Sequence, residues 1–147
     1  LIKVGEDPYV IEYNVRMGDP ETEVVFPRVK NDLLDLFSSM GTPKFKDIKL
    51  NISDNHAATV ILVSGGYPES YEKGKTIEGL NDLSQVSVFH AGTKKKSDSF
   101  ITSGGRVLAI TSMGNNFKLA LKKSYNQINK IKFDGMNYRK DIGFDLL

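Results

Sequence analysis

The chain contains no cysteine. Disulfides, thiolate catalysis and cysteine-ligated zinc are thereby excluded, and a reducing, cytoplasmic setting fits. There are only two histidines, His56 and His90, and neither has metal-ligand spacing. His90 reads as a satisfied residue at a strand end. No nucleophile-elbow or Ser-His-Asp pattern is present. No apolar run approaches the roughly 18 residues that a membrane-spanning helix needs, and no signal-peptide pattern occurs. An excess of one charge is missing as well. Twenty basic residues against eighteen acidic ones leave +2, which gives no case for a nucleic-acid partner. What remains is the composition of a globular protein, with 39% hydrophobic and 26% charged residues. At 147 residues it can form one core, or one domain with a piece of another.

The most informative run is Val10-Ile11-Glu12-Tyr13-Asn14-Val15-Arg16-Met17-Gly18-Asp19-Pro20-Glu21. It reads as a strand, over residues 9–16, that ends in a turn. Alternation puts Glu12, Asn14 and Arg16 on one face, and Ile11, Tyr13 and Val15 on the other as core. A carboxylate and an amide oxygen two residues apart can converge on a hard cation, and Mg²⁺ prefers oxygen. A guanidinium beside them can hold phosphate or carboxylate oxygens bidentately. Metal and arginine together suit phosphoryl transfer, where positioning and charge neutralisation carry most of the catalysis. A polar outer face is also what any half-buried strand shows. The acidic turn that follows favours the chemical reading, because acids crowded beside an arginine are costly unless something uses them.

Further along, Leu1-Ile2-Lys3-Val4 and the turn Gly5-Glu6-Asp7-Pro8 predict an N-terminal hairpin. Because the chain starts in mid-sheet with Leu1, it is expected to be a fragment of a larger catalytic domain. Val29, Leu33, Leu36, Phe37 and Met40 predict a helix over 28–40, ended by Gly41 and Pro43. Strands are expected at 57–63, 86–89, 100–102 and 106–111, with Lys94-Lys95-Lys96 in a solvated hairpin loop. A helix over 115–131 should bury Phe117, Ala120, Leu121, Tyr125, Ile128 and Ile131. Its lysines, Lys118, Lys122, Lys123, Lys130 and Lys132, should face water. Ser64-Gly65-Gly66-Tyr67-Pro68 lacks the Lys-Ser/Thr end of a phosphate-binding P-loop, so a structural turn is the better reading. Tyr71-Glu72-Lys73-Gly74-Lys75 could carry a cation to a phosphate or be an exposed turn. Ser64-Gly65-Gly66 and Ser103-Gly104-Gly105 echo one another weakly. A boundary near residue 27 would separate 1–27 from a second unit at 28–147. The expected class is α+β, with a mixed or antiparallel sheet packed by helices.

Residues 11–23 resemble the end of the ATP-grasp domain of the phosphoribosylamine–glycine ligase (glycinamide ribonucleotide synthetase) family. Further runs resemble that family's C-terminal domain: Ser64-Gly65-Gly66-Tyr67-Pro68 with Ser70-Tyr71-Glu72-Lys73-Gly74-Lys75, Val88-Phe89-His90-Ala91-Gly92-Thr93, Thr102-Ser103-Gly104-Gly105-Arg106-Val107-Leu108, and Tyr138-Arg139-Lys140-Asp141-Ile142-Gly143. Met17 and Val24 depart from the family's usual residues without touching the candidate ligands. The resemblance implies an enzyme of purine biosynthesis that uses ATP, glycine and 5-phosphoribosylamine and passes through an acyl phosphate. It implies Mg²⁺ (or Mn²⁺) on Glu12 and Asn14, charge stabilisation by Arg16, and a substrate pocket shaped by Gly18, Asp19, Pro20 and Glu21. The pattern does not divide those turn residues between glycine and the ribosyl phosphate. It further implies a cytoplasmic monomer or weak dimer, with the ATP-clasping lysines upstream of Leu1 and a fragment that is inactive alone. A non-catalytic binding or assembly module and a different ATP-grasp ligase are the alternatives.

Overall fold

In the computed structural model, which describes residues 1–18 and 20–146, strands β1 (Ile2–Val4) and β2 (Asp7–Tyr9) form an antiparallel hairpin, as expected, but with a tighter turn, because Asp7 and Pro8 pair with Val4 and Lys3. Its turn needs Gly5, which sits at φ +63°. Pairing then stops. Residues 10–18 form no strand, which corrects the strand expected there. The apolar side of that run is not core either, because Ile11, Tyr13 and Val15 are 66%, 85% and 100% exposed. The physical reason is simple: no described segment of this chain pairs with the run or covers it, and alternation alone buries nothing.

Helix α1 (Thr22–Val25) follows, and a 3₁₀ turn over Phe26–Arg28 continues it. The single helix expected over 28–40 is shorter than that. Val29 is extended and bridges to Ile52, so helix α2 covers only Leu33–Ser38. Asp32 decides its start: the carboxylate accepts from the Leu34 and Asp35 backbone N–H groups at 2.8 and 3.1 Å.

The remaining strands are β3 (His56–Val63), β4 (Thr76–Ile77), β5 (Ser87–His90), β6 (Thr93–Lys96), β7 (Ser99–Thr102) and β8 (Arg106–Gly114). Helix α3 (Phe117–Ile128) comes next, capped by the Asn116 side chain on the Leu119 N–H. The order β3-β8-β5 makes one antiparallel sheet and β4-β7-β6 another. The α+β class with antiparallel sheets is therefore as expected. The lysine run is not a loop. Lys94–Lys96 belong to β6, an edge strand, where lysine discourages pairing with other chains.

Central strand β8 buries Val107, Leu108, Ala109 and Ile110 on both of its faces. Strand β3 is half-covered and alternates. Val60 and Leu62 are fully buried, in a cluster with Ile128 and Ile131, while Thr59, Ile61 and Val63 point to the opposite face. Between β3, β8 and α3 lies a small polar knot. The Ser112 hydroxyl donates to the Ala120 carbonyl and meets the Ser124 hydroxyl at 2.8 Å. The second face of β3 is covered at one end by α1. There the Thr111 hydroxyl donates to the Glu23 carbonyl at 2.9 Å and lies 2.8 Å from the Thr59 hydroxyl.

The two Ser-Gly-Gly turns are packed against each other. Ser64 donates through its backbone to the Gly105 carbonyl (2.8 Å) and through its hydroxyl to the Gly104 carbonyl (3.0 Å). A side chain on Gly65 would press on the Gly135 backbone, and one on Gly105 would enter the Tyr67 ring. Close packing, rather than anion binding, accounts for these glycines.

Candidate functional site

Beside the N-terminal run lies a polar cavity of about 450 Å³, lined by Glu12, Asn14, Arg16, Met17, Gly18 and Glu21, and closed on one side by Arg106. Losing the strand has not separated Glu12, Asn14 and Arg16. The Asn14 amide N–H donates to the Glu12 carboxylate at 3.3 Å, and the Arg16 guanidinium donates to the Met17 carbonyl at 2.9 Å. Both oxygen-bearing side chains thus sit together with a guanidinium on the same wall. The turn is held by the Gly18 carbonyl, which accepts from the Thr22 N–H at 3.0 Å and the Thr22 hydroxyl at 2.7 Å. The Glu21 carboxylate lies against Gly18, in the space a Cβ would take.

Pro20 lines a second cavity, of about 460 Å³, which lies on the open face of β3. Its floor is Thr59, Ile61 and Val63, and its rim includes Arg106, Asn137 and Arg139. Asp19 lies outside the described residues. The 137–139 segment is tied to β3 by two backbone hydrogen bonds between Val63 and Asn137, at 2.8 and 3.0 Å. The Tyr125 hydroxyl adds a bond to the Arg139 carbonyl at 2.8 Å. Arg139 grips Asp141 with two N–H groups, at 2.9 and 3.1 Å. That pairing raises Arg139 above its already high pKa and holds the Asp141 carboxyl below its usual range.

The other candidates lie away from these cavities. Lys75 is clamped between Glu72 (2.6 Å) and Asp134 (3.0 Å), and the Glu72 hydrogen bond leads in pushing it up to about 12. Lys73 stands over the Tyr71 ring at 5.8 Å. His90 is satisfied at its strand end, with Nδ1 2.9 Å from the Thr93 hydroxyl and its ring against Phe100. Among the described residues, no group of three or more acids and histidines gathers as a metal cluster, and no helix is long and apolar enough to cross a membrane.

A profile of the phosphoribosylglycinamide synthetase C domain matches residues 57–145. This chain belongs to that family. The matched stretch contains both sheets and α3, and both arginines on the rim of the second cavity. Named relatives extend the likeness over nearly the whole chain. Phosphoribosylamine–glycine ligase of Caldanaerobacter subterraneus is 43% identical over 142 residues, covering 97% of this chain and 34% of its own length. The ligase of Neisseria meningitidis is 44% identical over 145 residues, covering 97% of this chain and 34% of its own. The crystal structure of phosphoribosylamine–glycine ligase from Thermotoga maritima superposes with a TM-score of 0.78 at 34% identity, over 93% of this chain and 34% of that one. The chain thus spans about a third of the length of the curated relatives it matches. Arg106 is the wall residue that reading the sequence missed as a site residue. It lay in a run that carries the resemblance, but no spacing rule could place it opposite Glu12, more than ninety positions earlier.

Proposed function

We propose that this phosphoribosylglycinamide synthetase C-domain chain is the C-terminal part of an ATP-dependent ligase that joins glycine to 5-phosphoribosylamine, giving glycinamide ribonucleotide, ADP and phosphate. The observation that carries this reading is the polar cavity in which Glu12, Asn14 and Arg16 of the N-terminal run face Arg106 of the matched domain. Residues 1–27 are read as the end of an ATP-grasp domain and 28–147 as the C-terminal domain. In the reaction, a glycine carboxylate oxygen bonds to the γ-phosphorus of ATP and ADP departs. The amine of phosphoribosylamine then attacks the acyl carbon, the C–O bond to phosphate breaks, and the amine loses a proton.

The donor set suits a hard cation. Glu12 offers a carboxylate and the adjacent Asn14, whose amide N–H donates to it at 3.3 Å, carries an amide oxygen, and Mg²⁺ is commonly held by few protein ligands plus water and substrate phosphate. Glu12 and Asn14 would hold Mg²⁺ or Mn²⁺, which supplies charge neutralisation at the nucleotide phosphates. Arg16 is placed to stabilise charge on the transferring phosphoryl group or the acyl phosphate. Gly18, Asp19, Pro20 and Glu21 shape the substrate side. The ATP-clasping lysines would lie outside this chain, which spans about a third of its relatives' length, and on this reading the chain alone would not turn over. A cytoplasmic location, and a full-length enzyme that is a monomer or weak dimer, complete the reading.

ADP formation that requires both glycine and phosphoribosylamine tests it. Activity is expected only in the chain extended to the length of its relatives. No activity in a well-folded extended protein overturns the assignment, and leaves a binding module as the account.

A further inference from the structure

We propose that the groove on the open face of β3, rimmed by Arg106 and Arg139, seats the phosphate end of a pentose phosphate. The inference rests on the ligase reading for the identity of the sugar phosphate, but the groove can be tested without turnover.

Two neighbouring cavities share Arg106 as a wall, and among the described residues carboxylates line only one of them. The first holds Glu12 and Glu21 beside Arg16. Among the described residues, the second is lined by no carboxylate and by two arginines, with Asn137 and Thr59 as further polar groups. Only the first offers carboxylates to a cation, while the second offers an anion the donors of Arg106 and those of Arg139 that Asp141 leaves unused. A substrate with a reacting amine at one end and a phosphate at the other matches that division. Its amine would point to the Glu12–Asn14–Arg16 wall and its phosphate to the groove.

The groove is built as an anion seat. Arg139 is fixed, because the Tyr125 hydroxyl holds its carbonyl and Asp141 occupies Nε and one terminal nitrogen. A guanidinium has five N–H groups, so a fork engaged at two of them still has donors to offer. Asn137 is fixed by its backbone pair with Val63. The floor of Ile61 and Val63 with Ile142 is apolar. It can pack against the carbon face of a sugar and lowers the local dielectric, which strengthens arginine–phosphate contacts.

The probes are ribose 5-phosphate, inorganic phosphate and ribose, titrated into the ¹⁵N-labelled chain and followed by NMR. Ribose 5-phosphate is expected to shift the amides of Thr59, Ile61, Asn137, Tyr138 and Arg139 in one saturating curve. Inorganic phosphate should move the same amides more weakly, and ribose should leave them in place. Arg106→Lys keeps the charge and loses the fork, Arg139→Gln loses the charge, and each should weaken ribose 5-phosphate by roughly tenfold. Lys95→Ala, on the distant edge strand, should not change the titration. The proposal is overturned if ribose 5-phosphate shifts no amides, if the shifts lie along the lysines of β6 or α3, or if neither arginine variant changes the curve. Turnover in the extended protein without the groove titration would sink the groove alone. The titration without turnover would sink the ligase reading alone. In an active extended protein, Arg106→Lys should raise KM for phosphoribosylamine and leave the KM values for ATP and glycine unchanged.

Discussion

Replacing Gly105 with alanine tests how the two Ser-Gly-Gly turns hold the groove side of the domain. Gly105 does not sit at positive φ, so alanine meets no backbone obstacle, and entropy alone would make it stabilising by about 0.4–1 kcal/mol. The structure predicts the opposite sign. The added methyl would enter the Tyr67 ring, which is not the far end of a flexible side chain. Tyr67 cannot simply swing away with its backbone, because its N–H donates to the Ser64 carbonyl at 3.1 Å. Ser64 is in turn bonded to Gly104 and Gly105. Overpacking of this kind costs about 1–3 kcal/mol, so a net loss of about 1–2 kcal/mol remains after the entropic gain. With a urea slope of about 2 kcal/mol/M, the unfolding midpoint should fall by about 0.5–1 M. Urea denaturation followed by circular dichroism measures this. The double variant Gly105→Ala/Tyr67→Ala should be no less stable than Tyr67→Ala alone, a coupling of about 1–2 kcal/mol. A raised or unchanged midpoint for Gly105→Ala, or simple additivity in the double variant, would refute the packing account.

Leu108→Ala empties a fully buried site on the central strand and should cost about 2–5 kcal/mol, read from the same urea curves. In the chain extended to the length of its relatives, Glu12→Ala should abolish ADP formation and leave the unfolding midpoint unchanged, since Glu12 is exposed and, among the described residues, hydrogen-bonds to Asn14 alone. Retained turnover would count against the metal assignment. Lys75 carries a raised pKa of about 12 from Glu72 and Asp134. Its ion pairs therefore add stability in full below the unfolded lysine value near 10.4 and lose it as pH rises toward 12. The stability difference between the protein and Lys75→Met should shrink across that window, and a constant difference would contradict the clamp. Asp141 is shifted the other way by Arg139, so Asp141→Asn should remove stability at neutral pH and change little once the pH falls well below the usual carboxylate range.

Local chemistry determined a large part of this protein. The apolar run over 57–63 forms β3 as its composition implied, with Val60 and Leu62 fully buried, although Ile61 and Val63 on the other face are only half-covered. The stripe through Ala120 and Ile128 buries one side of α3, and the N-terminal hairpin forms around Gly5. Short-range competition was harder to read. Asp32 captures the N–H groups of Leu34 and Asp35, so α2 starts later than hydrophobic spacing implied. The polar partners Ser112 and Ser124 left no periodic signal, because a hydroxyl is buried only where another strand or helix brings it a partner.

By itself the sequence put a carboxylate, an amide oxygen and a guanidinium, those of Glu12, Asn14 and Arg16, within five positions, and no distant element is needed to make them neighbours. Tertiary structure alone decided what they face. Arg106 reaches the same cavity only because β8 pairs with β3, and Arg139 reaches the adjoining groove only because Asn137 pairs with Val63. It also decided that Ile11, Tyr13 and Val15 lie in the open. Alternation specifies which side of a chain is apolar, whereas burial requires a second surface, and no described segment of this chain supplies one there.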